Sequence, residues 1–235
     1  TNNNNYTYVG WAWDAGTTAA TPSTDGSMTL SGQWVNATAG FSITTYTGTE
    51  GGSFGHALGA KPDLIIVKGT GTAVSWTVWN NTFPNTKYTT LDGSAAIGTY
   101  NVWGNTDPTN TIVTVSGDSY TGNNGDAYIA YCWTAIPGFS AFGGFHGNGS
   151  ATGPFIHTGF LPRWVMLRNV ETGGNWQIYD SERYGSSNPK TYFLEADDQD
   201  DEADDSASDV DFCSNGFTIR GTSNDINESA HDIIY

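Results

Sequence analysis

Apolar and polar residues alternate over short stretches of this chain, and nowhere do they recur at helical spacing. The segments "YTYVGWAW" (6–13), "TIVTVS" (111–116) and "FTIR" (217–220) send every second side chain to one face, which predicts strands with one wet side. Two other segments, "DLIIVK" (63–68) and "WVMLR" (164–168), are nearly continuous apolar runs and predict central strands covered on both faces. Gly, Asn, Asp and Pro punctuate these runs at turn-like intervals. The pattern predicts an all-β chain.

The pattern also recurs. With residues 40–137 laid over 138–235, Gly40-Phe41-Ser42 falls on Gly138-Phe139-Ser140, and Gly48 falls near Gly147. "GHALGAKPDLIIVKG" (55–69) meets "IHTGFLPRWVMLRN" (156–169), with Pro62 over Pro162. "SWTVWN" (75–80) meets "NWQIYD" (175–180), matching Trp76 to Trp176, and "NTKYTTL" (85–91) meets "NPKTYFL" (188–194). "DAYIAYCW" (126–133) corresponds to "AHDIIY" (230–235). The prediction is two tandem antiparallel β-sandwich domains, jelly-roll-like, at 40–137 and 138–235, built from an internal repeat of about 98 residues. "NYTYVGWAWDAG" (5–16) resembles 126–136, so residues 1–16 read as the closing strand of a preceding repeat. Residues 17–39 read as a linker carrying one strand, Met28 to Val35.

Composition narrows the function classes. The chain has 235 residues and 37% hydrophobic content, enough for a real core. Eight Lys and Arg against 24 Asp and Glu give a formal net charge of −16, which argues against nucleic-acid binding, since phosphate contacts need clustered cations. There is no apolar run long enough to insert into a membrane and no visible signal peptide. The first residue is Thr, which reads as a processed chain or a piece of a longer one. Cys132 and Cys213 have no partners at metal-ligand spacing and read as free thiols.

Candidate chemistry is sparse. The run "EADDQDDEADDSASDVD" (195–211) makes Asp197, Asp198, Asp200 and Asp201 the candidates for a Ca²⁺ site, because hard cations take several carboxylates from one loop. No calcium-loop pattern accompanies it, so the preferred reading is a solvated, self-repelling loop with no metal or other cofactor. His56 and His157 precede the matching prolines and read as hydrogen-bonded structural residues. "GNGSATG" (147–153) lacks the spacing of a serine elbow, and no acid, base and pocket converge, so no catalytic residue is assigned and an enzyme is not expected. Trp76 and Trp176 recur and read as core. Trp103, with Tyr100 beside it, is the candidate surface contact. Tyr6, Tyr8, Trp11 and Trp13 would leave an exposed strand edge and are the candidates for strand exchange with another copy.

The ordered set "STDGSMTLSGQWVNATAGFSITTYTG", "FGHALGAKPDLIIVK", "DAYIAYCW", "GFSAFGGFHGNGSATGPFIHTGFLPRWVMLR" and "DFCSNGFTIR" resembles a repeat domain of unknown function in predicted tail-fibre and capsid-appendage proteins of marine bacteriophages. The resemblance spans essentially the whole chain. It implies a non-enzymatic virion structural protein, a tail fibre or capsid decoration exposed on the particle, whose partners are other virion proteins, copies of itself and a host-surface glycan. It also implies an aromatic-rich strand continuing past "IIY", so the second unit is expected to be cut short. The alternatives are a lectin-like glycan-binding module and an extracellular filament subunit assembled by strand exchange.

Overall fold

Alternation in the chain becomes strands almost wherever it occurs. A computed structural model describes residues 7–17, 19–183, 185 and 187–235, which places Tyr6 outside the described residues. The strands are β1 (Leu30–Asn36), β2 (Phe41–Thr47), β3 (Gly51–Gly55), β4 (Leu64–Gly69), β5 (Thr77–Asn80), β6 (Lys87–Thr90), β7 (Gly98–Thr99), β8 (Ile112–Ser116) and β9 (Ala127–Trp133). There follow β10 (Gly144–His146), β11 (Phe155–His157), β12 (Trp164–Asn169), β13 (Gln177–Asp180), β14 (Tyr192–Glu195), β15 (Ala203–Asp204), β16 (Val210–Cys213), β17 (Gly216–Ile219) and β18 (Asp232–Ile234). One helical turn, α1 (Asn224–Asn227), is capped by the Ser223 hydroxyl. The fold is all-β and β-sandwich-like.

The strands form a seven-stranded sheet ordered β1-β2-β9-β4-β5-β6-β7 and a six-stranded sheet ordered β10-β18-β12-β13-β14-β15. Two smaller sheets, β3-β8 and β11-β17-β16, complete the set, and every ladder is antiparallel. Each small sheet shares a core with one large sheet. Phe54 of β3 and Val113 and Val115 of β8 meet Ile65, Val67, Tyr128 and Ala130 of the seven-stranded sheet, and the Tyr46 and Phe54 rings stack at 4.8 Å. Ile156, Val210, Phe217 and Ile219 meet Val165, Leu167, Tyr179 and Phe193 of the six-stranded sheet. Gly40 admits the chain to β2 with φ +68°, and a Cβ there would lie 2.3 Å from the Thr134 carbonyl oxygen, so only glycine fits.

The halves are locked together by side chains. Arg168 of β12 is fully buried and donates from Nη1 to the carbonyls of Thr90 (2.6 Å) and Gly93 (2.7 Å) and from Nη2 to that of Ala95 (2.5 Å). Its guanidinium lies 5.1 Å from the centre of the Trp176 ring, whose Nε1 donates to the same Thr90 carbonyl at 2.8 Å. The Ile97 N–H donates to the Val170 carbonyl at 2.7 Å. Burial pushes the Arg168 pKa down to about 10, against the pull of Asp197 and Asp225, so the group stays charged at neutral pH. Trp176, read from the sequence as core, is buried in the cluster centred on the first half rather than the second.

Two expectations are corrected here. Residues 7–16, expected as a strand, carry none. Their alternation offers a strand face but finds no neighbouring strand in its plane, and the segment lies instead as an arm held by its tryptophan rings. Trp103, the candidate surface contact, is only 2% exposed, whereas Tyr100 is 52% exposed. The Trp103 ring turns into the first core with Val102, and its Nε1 donates to the Lys87 carbonyl at 3.2 Å, which removes the cost of burying the indole N–H.

Candidate functional site

The apolar runs at β4 and β12 have two buried faces, and the second face builds the site. Side chains alternate along β4, so Ile66 lies opposite Ile65 and Val67; on β12 Val165 and Leu167 enter the second core, leaving Trp164 and Met166 on the opposite side. These opposite faces, with Ile43 of β2, Tyr131 and Trp133 of β9 and Ile178 of β13, line a cleft of about 400 Å³.

Aromatic rings form its walls. Trp76 stacks on Tyr131 with centroids 6.2 Å apart, Tyr131 on Trp133 at 6.2 Å, and Trp133 on Phe41 at 4.7 Å, a continuous row along one side. Trp13 of the arm closes the row against the other half, edge-on to Trp133 at 6.1 Å and to Trp164 at 5.4 Å. Trp11 meets Trp164 at 6.4 Å and donates from Nε1 to Asp180 Oδ2 at 3.3 Å. Burial works to raise the Asp180 pKa, but the hydrogen bonds and charge of Arg183 together with the Glu182 N–H more than offset it, so the carboxylate titrates below its usual value. Arg183 in turn pairs with Glu202.

The cleft presents stacking surface and almost no hydrogen-bonding groups. A sugar seated there would leave its hydroxyls without partners at a desolvation cost, so the chemistry suits an apolar side chain rather than a glycan. Of the strand-exchange candidates, Trp11 is half-buried, Trp13 is 47% exposed while contacting both halves, and Tyr8 is exposed. The cleft residues Ile43, Ile66, Tyr131 and Met166 were not singled out from sequence. The available signal was that β4 and β12 are apolar at odd and even positions alike.

The acidic loop is divided among separate tasks. Asp197 Oδ1 accepts the Trp176 N–H at 2.8 Å, and Asp198 Oδ1 accepts the N–H groups of Gln199 (2.6 Å) and Asp200 (3.2 Å). Asp200 and Asp201 are exposed. Among the described residues no group of three or more His, Cys, Asp or Glu side chains is placed to hold a metal ion. The two histidines occupy different settings. His56 is fully buried, with its Nε2 3.2 Å from the Thr109 carbonyl and its Nδ1 accepting the Leu58 N–H at 3.2 Å, whereas His157 is exposed. A carbonyl only accepts, so His56 is neutral with its proton on Nε2; burial, the largest effect, holds its pKa below the usual value. Burial also pushes the Cys132 thiol far up, leaving it inert.

The whole chain, residues 1–235, matches the family model described as "Domain of unknown function (DUF7483)". The chain belongs to this family. No curated protein and no solved structure matches it. Membership of the family therefore brings no catalytic or binding residues to this cleft, and its chemistry rests on the geometry above.

Proposed function

We propose that the chain is a non-enzymatic structural protein of a bacteriophage virion, a tail fibre or capsid decoration exposed on the particle, built from two copies of one antiparallel sandwich and assembling with further copies of itself. The observation that carries the two-copy reading is the strand order. Strands β2-β9-β4-β5-β6-β7 and β10-β18-β12-β13-β14-β15 follow the same sequence of steps along the chain, and β3-β8 has its counterpart in β11-β17.

Smaller details support it. The Asp92 carboxylate accepts the Trp76 N–H as Asp197 accepts that of Trp176. The Leu91 N–H donates to the Trp76 carbonyl as the Ala196 N–H donates to that of Trp176. Lys68 lies over the Trp76 ring as Arg168 lies over Trp176. The virion assignment rests on the resemblance of the ordered sequence motifs to phage appendage domains.

The test is the particle itself. Antibodies raised against the chain should decorate purified virions of the source phage in electron micrographs, and its peptides should appear in the particle's mass spectrum. Absence from purified particles refutes the assignment.

A further inference from the structure

The two small sheets end differently at their outer edges. In β3 the His56 N–H points to the Thr111 carbonyl beside β8, so by alternation Ser53 and Gly55 turn their backbone groups to the other side. Residues 23–28 and Gln33 seal that side. The Ser53 carbonyl accepts the N–H groups of Ser27 (3.0 Å) and Met28 (2.9 Å), the Ser53 N–H donates to Ser27 Oγ at 2.9 Å, and Gln33 Nε2 donates to the Gly55 carbonyl at 2.8 Å.

In β11, Ile156 takes the place of Phe54 as the buried central residue, opposite Phe217 as Phe54 is opposite Val113. The Thr158 N–H bonds to the Asn215 carbonyl and the Pro154 carbonyl accepts the Ile219 N–H, so Phe155 and His157 turn their backbone groups away from β17. This edge is unsealed. β11 is the outer strand of its sheet, and among the described residues no bridge or hydrogen bond reaches those outward groups. The cause lies inside the chain. The residues that stand as far before Ile156 as 23–28 stand before Phe54 are 125–130, and they are spent in β9 and the turn that leads into it. His157 also stands where Gly55 does, and a Cβ at Gly55 would lie 2.5 Å from Ser23 Oγ, so this edge would not admit the same strap.

We infer that the outer edge of β11 is a docking surface for the same edge of a second copy of the chain, joined antiparallel about a twofold axis at Ile156. This names the contact for the self-assembly proposed above, and rests on that reading for the presence of neighbouring copies.

The edge is complementary to itself. With the two Ile156 residues opposite one another, Phe155 of each copy exchanges both backbone hydrogen bonds with the partner subunit's His157, and every outward group of the edge is paired. The small sheets of the two copies become one continuous sheet ordered β16-β17-β11-β11-β17-β16. On its outer face Phe155, 48% exposed, meets the partner subunit's His157, the same pair of rings that already lie 6.5 Å apart within one copy. Charge also favours a like partner here. Chains of net charge −16 repel one another over most of their surface, yet residues 127–170 contain no Asp or Glu. Asp211, which lies in one row with Thr218 and Phe155 across the outer face, is neutralised by Arg220 at 2.6 Å.

The experiment uses the full chain and two doubly substituted forms, one acidic (Phe155→Asp with His157→Asp) and one basic (Phe155→Lys with His157→Lys). Both side chains are exposed, so neither pair of changes disturbs a core. In sedimentation the parent should run as two copies or more of its 25.1 kDa chain. Each substituted form alone should need at least about tenfold higher concentration to associate, because like charges face one another across the axis. An equimolar mixture of the two forms should regain the parent's association, which also shows that both are folded. A parent that stays at the mass of one copy at its highest soluble concentration overturns the inference, as does a mixture that associates no better than its components. If the parent assembles and the substitutions leave its size unchanged, the inference fails while self-assembly through another face, and the proposed function with it, stands. Absence of the chain from purified particles would refute the function without touching these measurements.

Discussion

Replacing Arg168 by Met keeps the apolar stem of the side chain and removes the charge and the three guanidinium hydrogen bonds to the Thr90, Gly93 and Ala95 carbonyls, leaving Trp176 Nε1 as the remaining donor to Thr90. Each charge-assisted hydrogen bond contributes about 1.5–3 kcal/mol. The variant also sheds the cost of burying a guanidinium, the same cost that pushes its pKa down to about 10. Asp197 and Asp225 lose a compensating cation, which works against the variant. The expected net loss is about 3 kcal/mol, at the low end for breaking a buried charged network. In a chain of this length that lowers Tm by about 6–12 °C. Calorimetry has a second readout: with the clamp gone, the single transition expected of the parent should broaden or split as the halves uncouple. Arg168→Lys should recover part of the loss, since an ammonium cannot reach three carbonyls as a planar fork does. A loss for Arg168→Met below about 1 kcal/mol with one unchanged transition would mean that the carbonyls are served as well by water, and the clamp argument fails.

Acid should destabilise the fold through His56. Its folded pKa lies below the ordinary 6.5, so the unfolded chain binds a proton that the folded chain refuses; stability falls as pH drops below about 6.5 and returns above it. His56→Asn should flatten the difference in urea midpoint between about pH 5 and 7, and a parent curve already flat there contradicts the buried neutral ring. Converting Asp198, Asp200 and Asp201 together to Asn should leave stability unchanged or raise it by a few tenths of a kcal/mol at low salt, an effect that salt removes. Calcium calorimetry on the same pair of proteins should show no binding, and micromolar binding lost in the variant would replace the solvated-loop reading with a cation site. Asp197→Ala should behave differently from these three and cost about 1–2 kcal/mol, because it strands the Trp176 N–H; equal effects from all four positions would contradict that hydrogen bond.

What was legible in the sequence was whatever depends on neighbours in the chain. The runs at 63–68 and 164–168 are central strands because their apolar residues occupy both faces, and the strand inside 17–39 lies at Leu30–Asn36. The arm shows the limit of that logic. Alternation from Tyr8 to Trp13 describes a strand's faces but not the partner that would hold its backbone, and without one those residues form no ladder. Trp103 misled for a related reason: its Gly- and Asn-rich surroundings look like a loop tip, yet Val102 and Trp103 turn inward within that loop. His56 and His157 stand at similar distances before matching prolines and still differ completely in exposure, since a slip of one residue in a strand reverses the face. The cleft was hidden because it needs two sheets to face one another, a relation between residues about a hundred positions apart, such as Ile66 and Met166.

The large sheets close on their far sides with strands of two residues each, β7 and β15, and β15 carries Asp204 within the acidic loop. A short edge wrapped in like charge repels an approaching strand, and such edges are how β proteins avoid sticking to one another. The carboxylates beside β15 thus insulate that edge, so that crowding many copies onto a small area need not turn contact into aggregation.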